Sequence, residues 1–248
     1  KKRKVIMNNT INEIKSRKSI RVYESRAIED DKKAAIIDAA LQAPTAGNMT
    51  LYTIIDVTDK ELKKRLSVTC DDQPFIATAP MVLVFCADYR RWFNVFEKNC
   101  KSVRAPGEGD LLLSVSDALI AAQNSVVAAE SMGIGSCYIG DIIENYEIHK
   151  ELFSLPEYVA PVCMVCFGYP TENQKNRKKP PRFKAEDIVF ENTYNEEKSN
   201  NMEQMIKERN GLSDDEFPGW IERFCTRKWN SDFSVEMTRS AQEIIRDW

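Results

Sequence analysis

The apolar positions of this chain change period along its length, and those changes mark out its elements. Between 30 and 43, DDKKAAIIDAALQA turns Ile36, Ile37, Ala40 and Leu41 to one side, the spacing of an amphipathic helix, and Pro44 ends it. The small polar run PTAGNM that follows reads as an irregular loop. Tyr52 to Val57 (YTIIDV) reads as a strand, and DKELKKRLSV as a helix with its charged face outward. Two continuous apolar runs, APMVLVFCADY (79–89) and Val159 to Gly168, predict strands buried on both faces. Thr10 to Ser16, Arg90 to Lys98 and 145–155 predict short helices, the last stopped by Pro156.

The strongest pattern lies in 109–141, GDLLLSVSDALIAAQNSVVAAESMGIGSCYIGD. Leu112, Val115, Leu119, Ala122, Val126 and Ala129 recur at three- and four-residue steps, while Leu111, Leu113, Ala118, Ala121, Val127 and Ala128 fill most other faces. That predicts a helix buried nearly all round, ~37 Å long from Gly109 to Gly133 at ~1.5 Å per residue. So long an apolar helix suggests that part of it lies in a subunit interface; a core helix of a monomer is the alternative. Gly133 and Gly135 offer a stop and a turn, and SCYIG a short strand that places backbone where Gly140 would tolerate no side chain. A buried helix delivering such a strand suggests a platform for something flat.

Composition narrows the class. In 248 residues, 43% hydrophobic and 29% charged content describe an ordinary globular chain with a sizeable core. No apolar run approaches ~18 residues without polar interruption, and no secretory pattern opens the chain, so neither a membrane span nor a signal peptide is expected. A net charge of −3 gives no general electrostatic case for nucleic acid. Seven scattered cysteines suit a reducing, cytoplasmic setting. Cys163 and Cys166, three apart on a strand, point to opposite faces and so cannot share a metal or readily pair. The single histidine, His149, reads as a surface helix residue; no triad or His-rich metal cluster can be assembled around it, and no metal is expected. No glycine-rich phosphate loop is present.

Lys1 to Ile6 precede Met7, a natural start, and are read as a tag or leftover. Residues 7–195 are expected to form one domain, and 196–248 a helical extension packing on it or on a partner subunit, with Trp220, Phe224 and Trp229 on one face. Arg17, Lys18 and Arg21 stand beside Ser19, ahead of a β-prone IRVY. Three cations and a hydroxyl in five residues suit a phosphate through charge-assisted hydrogen bonds. A solvated helix end whose cations complement the dipole is the alternative.

Four separated pieces occur in order: R-K-S-I-R near the start, A-P-T-A-G-N after the next helix, C-Y-I-G-D after the long helix, and a basic K-P-P-R loop after the last predicted strand. With GEGDLLLSVSDALIAAQNSVVAAESMGIG between them, this order resembles the FMN-dependent nitroreductase family, specifically its larger NADPH–flavin oxidoreductase branch. The resemblance runs from about Thr10 to Tyr194.

It implies an α+β fold, a mostly antiparallel central sheet flanked by helices, in an intertwined homodimer with one FMN in each of two interface clefts. Arg17, Lys18, Ser19 and Arg21 match the segment that holds the FMN phosphate and pyrimidine edge; Arg182, and with it Lys179, match a second phosphate-binding position. Thr45, Ala46 and Gly47 match a loop reaching across the interface onto the flavin, and Gln73 a residue at the ribityl chain or ring edge. Tyr138, Ile139, Gly140 and Asp141 match the platform under the ring, with the Gly140 N–H toward flavin N5. Thr50 stands where family loops often carry Gln, and Asp141 where the branch often has a second Gly.

The implied activity is two-electron, ping-pong hydride transfer from NAD(P)H through FMN to a small-molecule acceptor: a nitroaromatic, a quinone or free flavin. The cofactor performs such chemistry, so a sequence with one histidine and no triad suffices. A specialised relative, such as a reductive dehalogenase, and a flavin-binding protein without turnover are the alternatives. Nucleic-acid binding through KKRK and the 174–182 loop lacks any recognised module.

Overall fold

The structure, a computed structural model, describes residues 8–248. The reading of Lys1 to Ile6 therefore lies outside the described residues. The chain forms two compact units, one of residues up to Arg177 together with Glu236–Trp248, the other Lys178–Val235.

In the larger unit the elements run α1 (Asn9–Ser16), α2 (Asp30–Leu41), β1 (Tyr52–Asp56), α3 (Lys60–Thr69), α4 (Phe75–Thr78), β2 (Met81–Asp88), α5 (Arg90–Asn99), α6 (Glu108–Ser131), β3 (Gly135–Ile139), α7 (Tyr146–Leu152), β4 (Val159–Gly168) and α8 (Glu172–Asn176). The four strands form one antiparallel sheet in the order β1-β2-β4-β3. The expected α+β class with an antiparallel sheet and flanking helices is what the chain adopts.

β2 and β4 occupy the centre and are buried from end to end, as their unbroken apolar runs require. On one face Met81, Leu83, Phe85 and Ala87 join Ile36, Ala40, Ala118, Ala122 and Val126, so α2 and α6 cover that side. On the other, Val82, Val84 and Cys86 join Leu66, Ile76, Ile142 and Met164. Each fully buried Phe or Leu here contributes about 1.5–3 kcal/mol of hydrophobic free energy. A bulge between Phe85 and Cys86 shifts the register, pairing Phe85 with Cys163 but Cys86 with Pro161. The shift reverses the alternation of β4: Ala160 and Val162 share a face with Cys163, Val165 and Phe167. Cys163 and Cys166 lie beyond it and on opposite faces, both as free thiols.

α6 departs from the expectation of burial all round. Its inner face, with Leu111, Ser114, Asp117, Ala118, Ala121, Ala122, Ser125, Val126 and Ala129, is buried. Its outer face is open: Leu112 is 68% and Leu113 50% exposed, with Leu119 and Ile120 beside them. The helix is long and apolar enough to cross a membrane by length and composition, yet its inner face packs on the sheet and carries two carboxylates. Among the described residues it is the one helix that passes this measure.

His149 also departs from expectation, being wholly buried rather than on the surface. Its Nδ1 lies 2.9 Å from the Ile142 carbonyl and its Nε2 2.8 Å from Thr69 Oγ1, so the ring ties α7 to α3. Burial lowers its pKa and favours the neutral ring. The end of the chain is clamped nearby: Arg239 makes a bidentate pair with Glu147 at 2.7 and 2.8 Å, and Lys150 meets Asp247 at 2.8 Å.

The smaller unit carries α9 (Ala185–Ile188), α10 (Glu196–Asn200), α11 (Met202–Asn210), α12 (Phe217–Lys228) and the start of α13 (Asp232–Arg246). Phe217, Trp220 and Phe224 stack along α12, with centroids 6.5 and 5.1 Å apart. Trp229 does not continue that face; it caps the helix and is exposed, because the spacing breaks where the helix ends.

Two glycines are demanded by packing. A Cβ on Gly135 would lie 2.5 Å from Ile20, and one on Gly168 2.6 Å from Tyr23. Gly140, contrary to expectation, would meet nothing within 4 Å. Gly135→Ala is therefore expected to cost about 1–3 kcal/mol through overpacking, while Gly140→Ala leaves stability within about 0.5 kcal/mol; paired thermal melts check this.

Candidate functional site

β3 is an outer strand, so one edge of its backbone needs a partner. The chain supplies one from its N-terminal region. α1 is started by Asn8, whose side chain accepts from the Ile11 N–H at 2.9 Å, and ends at Arg17. The chain then runs extended: Ser19 bridges Ser136 in parallel fashion, the Ile20 N–H donates to the Ser136 carbonyl at 2.9 Å, and Tyr23 bridges Pro170. Ile20 fills the space left by Gly135, and the Tyr23 hydroxyl donates to the Ile20 carbonyl at 2.9 Å.

Alternation in this extended segment separates its cations. Lys18 turns one way, its Nζ donating to the carbonyls of Lys175 at 2.5 Å and Arg177 at 2.6 Å. Arg17 places its guanidinium 5.9 Å over the Tyr138 ring. Burial raises the Cys137 thiol pKa, and Arg21, Ser19 and Arg17 all oppose that rise, so the three lie along the β3 edge around Cys137. Arg17 Nε and Ser136 Oγ are buried without a hydrogen-bond partner. Unsatisfied donors of this kind cost about 1–3 kcal/mol each unless a ligand or water completes them. An anionic, hydrogen-bonding ligand over β3 fits this donor set, and the open space above exposed Gly140 leaves room for it.

Arg177 and Gln174 were not singled out by sequence. The Arg177 guanidinium donates to the Ser19 carbonyl, and Gln174 Oε1 stands 3.5 Å from the Arg21 N–H. Both belong to the start of the same basic loop that carries Lys179 and Arg182. Lys179 and Arg182 belong to the smaller unit, where Arg182 is exposed and donates to the Pro180 carbonyl at 3.2 Å.

Past the platform residues Tyr138 and Ile139, the chain makes a tight helical turn over Gly140–Ile143. The Tyr138 hydroxyl reaches Gln123 Oε1 at 3.3 Å. Gln73 is half-buried in the turn between α3 and α4, its Nε2 donating to the Cys70 carbonyl at 2.9 Å. That turn and the platform end are stitched together: Asn145 donates to the Thr69 carbonyl at 2.9 Å, beside the His149 contact to Thr69. Glu144 is buried between them with Oε1 unpartnered. Burial, then Asp141, Asp71 and Glu236, push its carboxyl up to about 7.

Thr45, Ala46 and Gly47 gather elsewhere. Their loop leads into β1, and both Ala46 and Leu51 donate backbone N–H groups to Asp117 of α6. β1 and β3 are the two outer strands, three steps of ~4.8 Å apart, so the loop leads into the edge of the sheet opposite its own chain's platform. Asp117 was also passed over by sequence; its signal was a carboxylate inside an otherwise apolar helix face. Among the described residues no group of three or more His, Cys, Asp or Glu is placed to hold a metal ion.

The family model described as Nitroreductase family matches residues 14–169, spanning the Arg17 segment, the Thr45 loop, α6 and the platform. The chain belongs to the nitroreductase family. Relatives of this nitroreductase-family chain include the FMN reductase (NADPH) of Bacillus subtilis, 35% identical over 191 residues that cover 76% of each chain. The NADPH-flavin oxidoreductase of Vibrio harveyi is 35% identical over 190 residues, covering 77% of this chain and 76% of the relative. Among solved structures, nitroreductase A from Vibrio parahaemolyticus superposes with a TM-score of 0.74 at 32% identity, over 83% of this chain and 86% of the other. The NADPH:FMN oxidoreductase from Vibrio harveyi complexed with NAD+ gives 0.77 at 29% identity, over 96% and 98%.

The Glu144 carboxyl makes the nitroreductase-family fold pH-sensitive in a defined direction. Its folded pKa of about 7 lies above the ordinary 4.5, so the folded state holds a proton that the unfolded chain releases. The stabilisation is complete below the unfolded value and is lost as pH rises through about 7. Relative to the parent, Glu144→Gln should gain thermal stability between about pH 4.5 and 7 and level off above; parallel melting curves across that window would refute it.

Proposed function

We propose that this chain is an FMN-dependent NAD(P)H oxidoreductase that reduces nitroaromatics, quinones or free flavin by two electrons, in alternating turnover. The observation that carries the reading is the convergence of Arg17, Ser19 and Arg21 on the β3 edge, with Arg17 Nε buried and unpartnered over Tyr138. The printed activities of the relatives, FMN reductase (NADPH) and NADPH-flavin oxidoreductase, support the same chemistry.

FMN, when bound, supplies the exchange of a hydride between the nicotinamide and the acceptor. In this reading the chain's own residues bind and orient. Arg17, Ser19 and Arg21 hold the phosphate and the polar edge of the ring, their charge favouring the reduced, anionic form. Lys18, tied to two carbonyls, fixes the path of the segment. Tyr138, Ile139, Gly140 and Asp141 form the platform, the Gly140 N–H acts as donor to N5, and Gln73 addresses the ribityl side. No side-chain nucleophile or general acid is assigned.

The working form in this reading is a homodimer. Leu112, Leu113, Leu119 and Ile120 leave an apolar stripe on the outer face of α6 that a second copy would cover. A dimer also gives the Thr45–Gly47 loop a flavin to reach, namely that of the other copy.

Purified protein should be yellow, and NADPH under anaerobic conditions should bleach it. A colourless preparation that takes up no added FMN would overturn the reading, and a yellow one that NADPH leaves unbleached would reduce it to flavin binding without turnover. A charged hydrogen bond contributes about 1.5–3 kcal/mol, so Arg21→Ala should weaken FMN binding by about 10- to 100-fold in a fluorescence titration.

A further inference from the structure

The loop before β1 is built against its own backbone preferences. Gly47, Asn48 and Thr50 have φ of +58°, +58° and +53°, three left-handed residues within four. Glycine and asparagine tolerate that region, but for β-branched Thr50 it costs on the order of 1 kcal/mol or more. Such a shape persists only where its surroundings impose it.

The imposing group is one carboxylate. Asp117 is 4% exposed, at the margin of the inner face of α6. Its Oδ1 accepts from the Ala46 N–H at 3.0 Å, and its Oδ2 from the Leu51 N–H at 3.2 Å and from the Thr45 hydroxyl. The Thr45 oxygen in turn accepts from the Thr50 N–H at 2.7 Å, which closes the loop on itself. From the other side, Trp92 Nε1 of α5 donates to the Met49 carbonyl at 2.6 Å and Arg91 Nη2 to the Thr50 carbonyl at 3.1 Å. A buried charge is an expensive way to hold a helix on a sheet, and an apolar residue would serve that purpose at least as well. Asp117 spends its acceptors on the loop.

The outcome is a loop whose inner polar groups are occupied and whose Pro44, Gly47 and Asn48 face outward. It is fixed beside the open face of α6, since Leu113 and Ile120 stand four residues before and three after Asp117. The loop is thus held next to the surface on which a second copy would dock, and away from its own platform.

We propose that Asp117 is a positioning residue acting across the dimer: it sets the 45–50 loop in the shape that completes the flavin site of the other copy. This rests on the dimeric flavin reading above. Arg21 acts on the site of its own chain and Asp117 on that of its partner, so defects in the two should complement in a mixed dimer.

The test uses the full chain with Asp117→Ala, Asp117→Asn and Arg21→Ala, alone and as Asp117→Ala/Arg21→Ala heterodimers isolated with two different tags. FMN affinity is read by fluorescence, the setting of the bound ring by its visible circular dichroism, and turnover at FMN that saturates the parent but not the variants. Asp117→Ala should raise the FMN dissociation constant about 10-fold or more and alter the visible dichroism. Asp117→Asn, which keeps one of the two acceptor oxygens, should fall between it and the parent. The heterodimer should recover about half the parent turnover, because one of its two sites joins an intact loop to an intact Arg21. A heterodimer as inactive as its parents, or Asp117 variants with parental FMN affinity and dichroism, would overturn the proposal while leaving the flavin reading standing. Failure of the parent protein itself to bind FMN would overturn both.

Discussion

An outer strand with an unpaired edge is the constraint from which the rest of this structure follows. β3 has β4 on one side only, and the backbone around Ser19 occupies the other, in a bridge seated by Ile20 against Gly135 and locked by the Tyr23 hydroxyl. Because that pairing is parallel and extended, it fixes which side chains face which way. Ser19 and Arg21 arrive at Cys137 and Arg17 over Tyr138, while Lys18 is turned onto the carbonyls of the 175–177 turn. A steric requirement at one glycine thereby becomes an electrostatic arrangement at a candidate site. Arg17 Nε and Ser136 Oγ are buried there without a hydrogen-bond partner.

α6 does two jobs with opposite faces. Its inner face packs on the sheet through small residues, close enough for α2 to share the same layer. Asp117 of that face reaches the loop before β1, and the exposed Gln123 meets Tyr138 of β3, so a single helix touches both regions of interest. The outer face carries the large aliphatic side chains Leu112, Leu113, Leu119 and Ile120 in water. The candidate site and the apolar stripe consequently share one element.

The platform end is held from beneath by less visible means. A neutral His149 links Ile142 to Thr69, and the buried Glu144 sits among Asp141, Asp71 and Glu236 with its carboxyl protonated at mildly acid pH. The clamp of Arg239 on Glu147 then closes the end of the chain over α7. These are interactions between elements that local pattern cannot register: His149 sits in a polar-looking helix, NYEIHKELF, and was misread as exposed for that reason.

Sequence alone determined most elements of the larger unit, the short α4 and α8 excepted. The runs of β2 and β4 announced strands covered on both faces, Pro44 and Pro156 marked helix ends, and the spacing in 109–131 announced the long helix, because each of these is a period set by residues a few positions apart. The ordered motifs, held together by that helix, also carried the family. What only the tertiary structure decided were matters of direction and crowding: that Lys18 faces away from Arg17 and Arg21, that Gly135 and not Gly140 is the sterically required glycine, that a bulge reverses β4, and that half of α6 is open. It also decided that the Thr45 loop hangs from Asp117 at the far side of the sheet from Tyr138. Each depends on contacts between residues tens to more than a hundred positions apart, which sheet order and register create and no local spacing encodes.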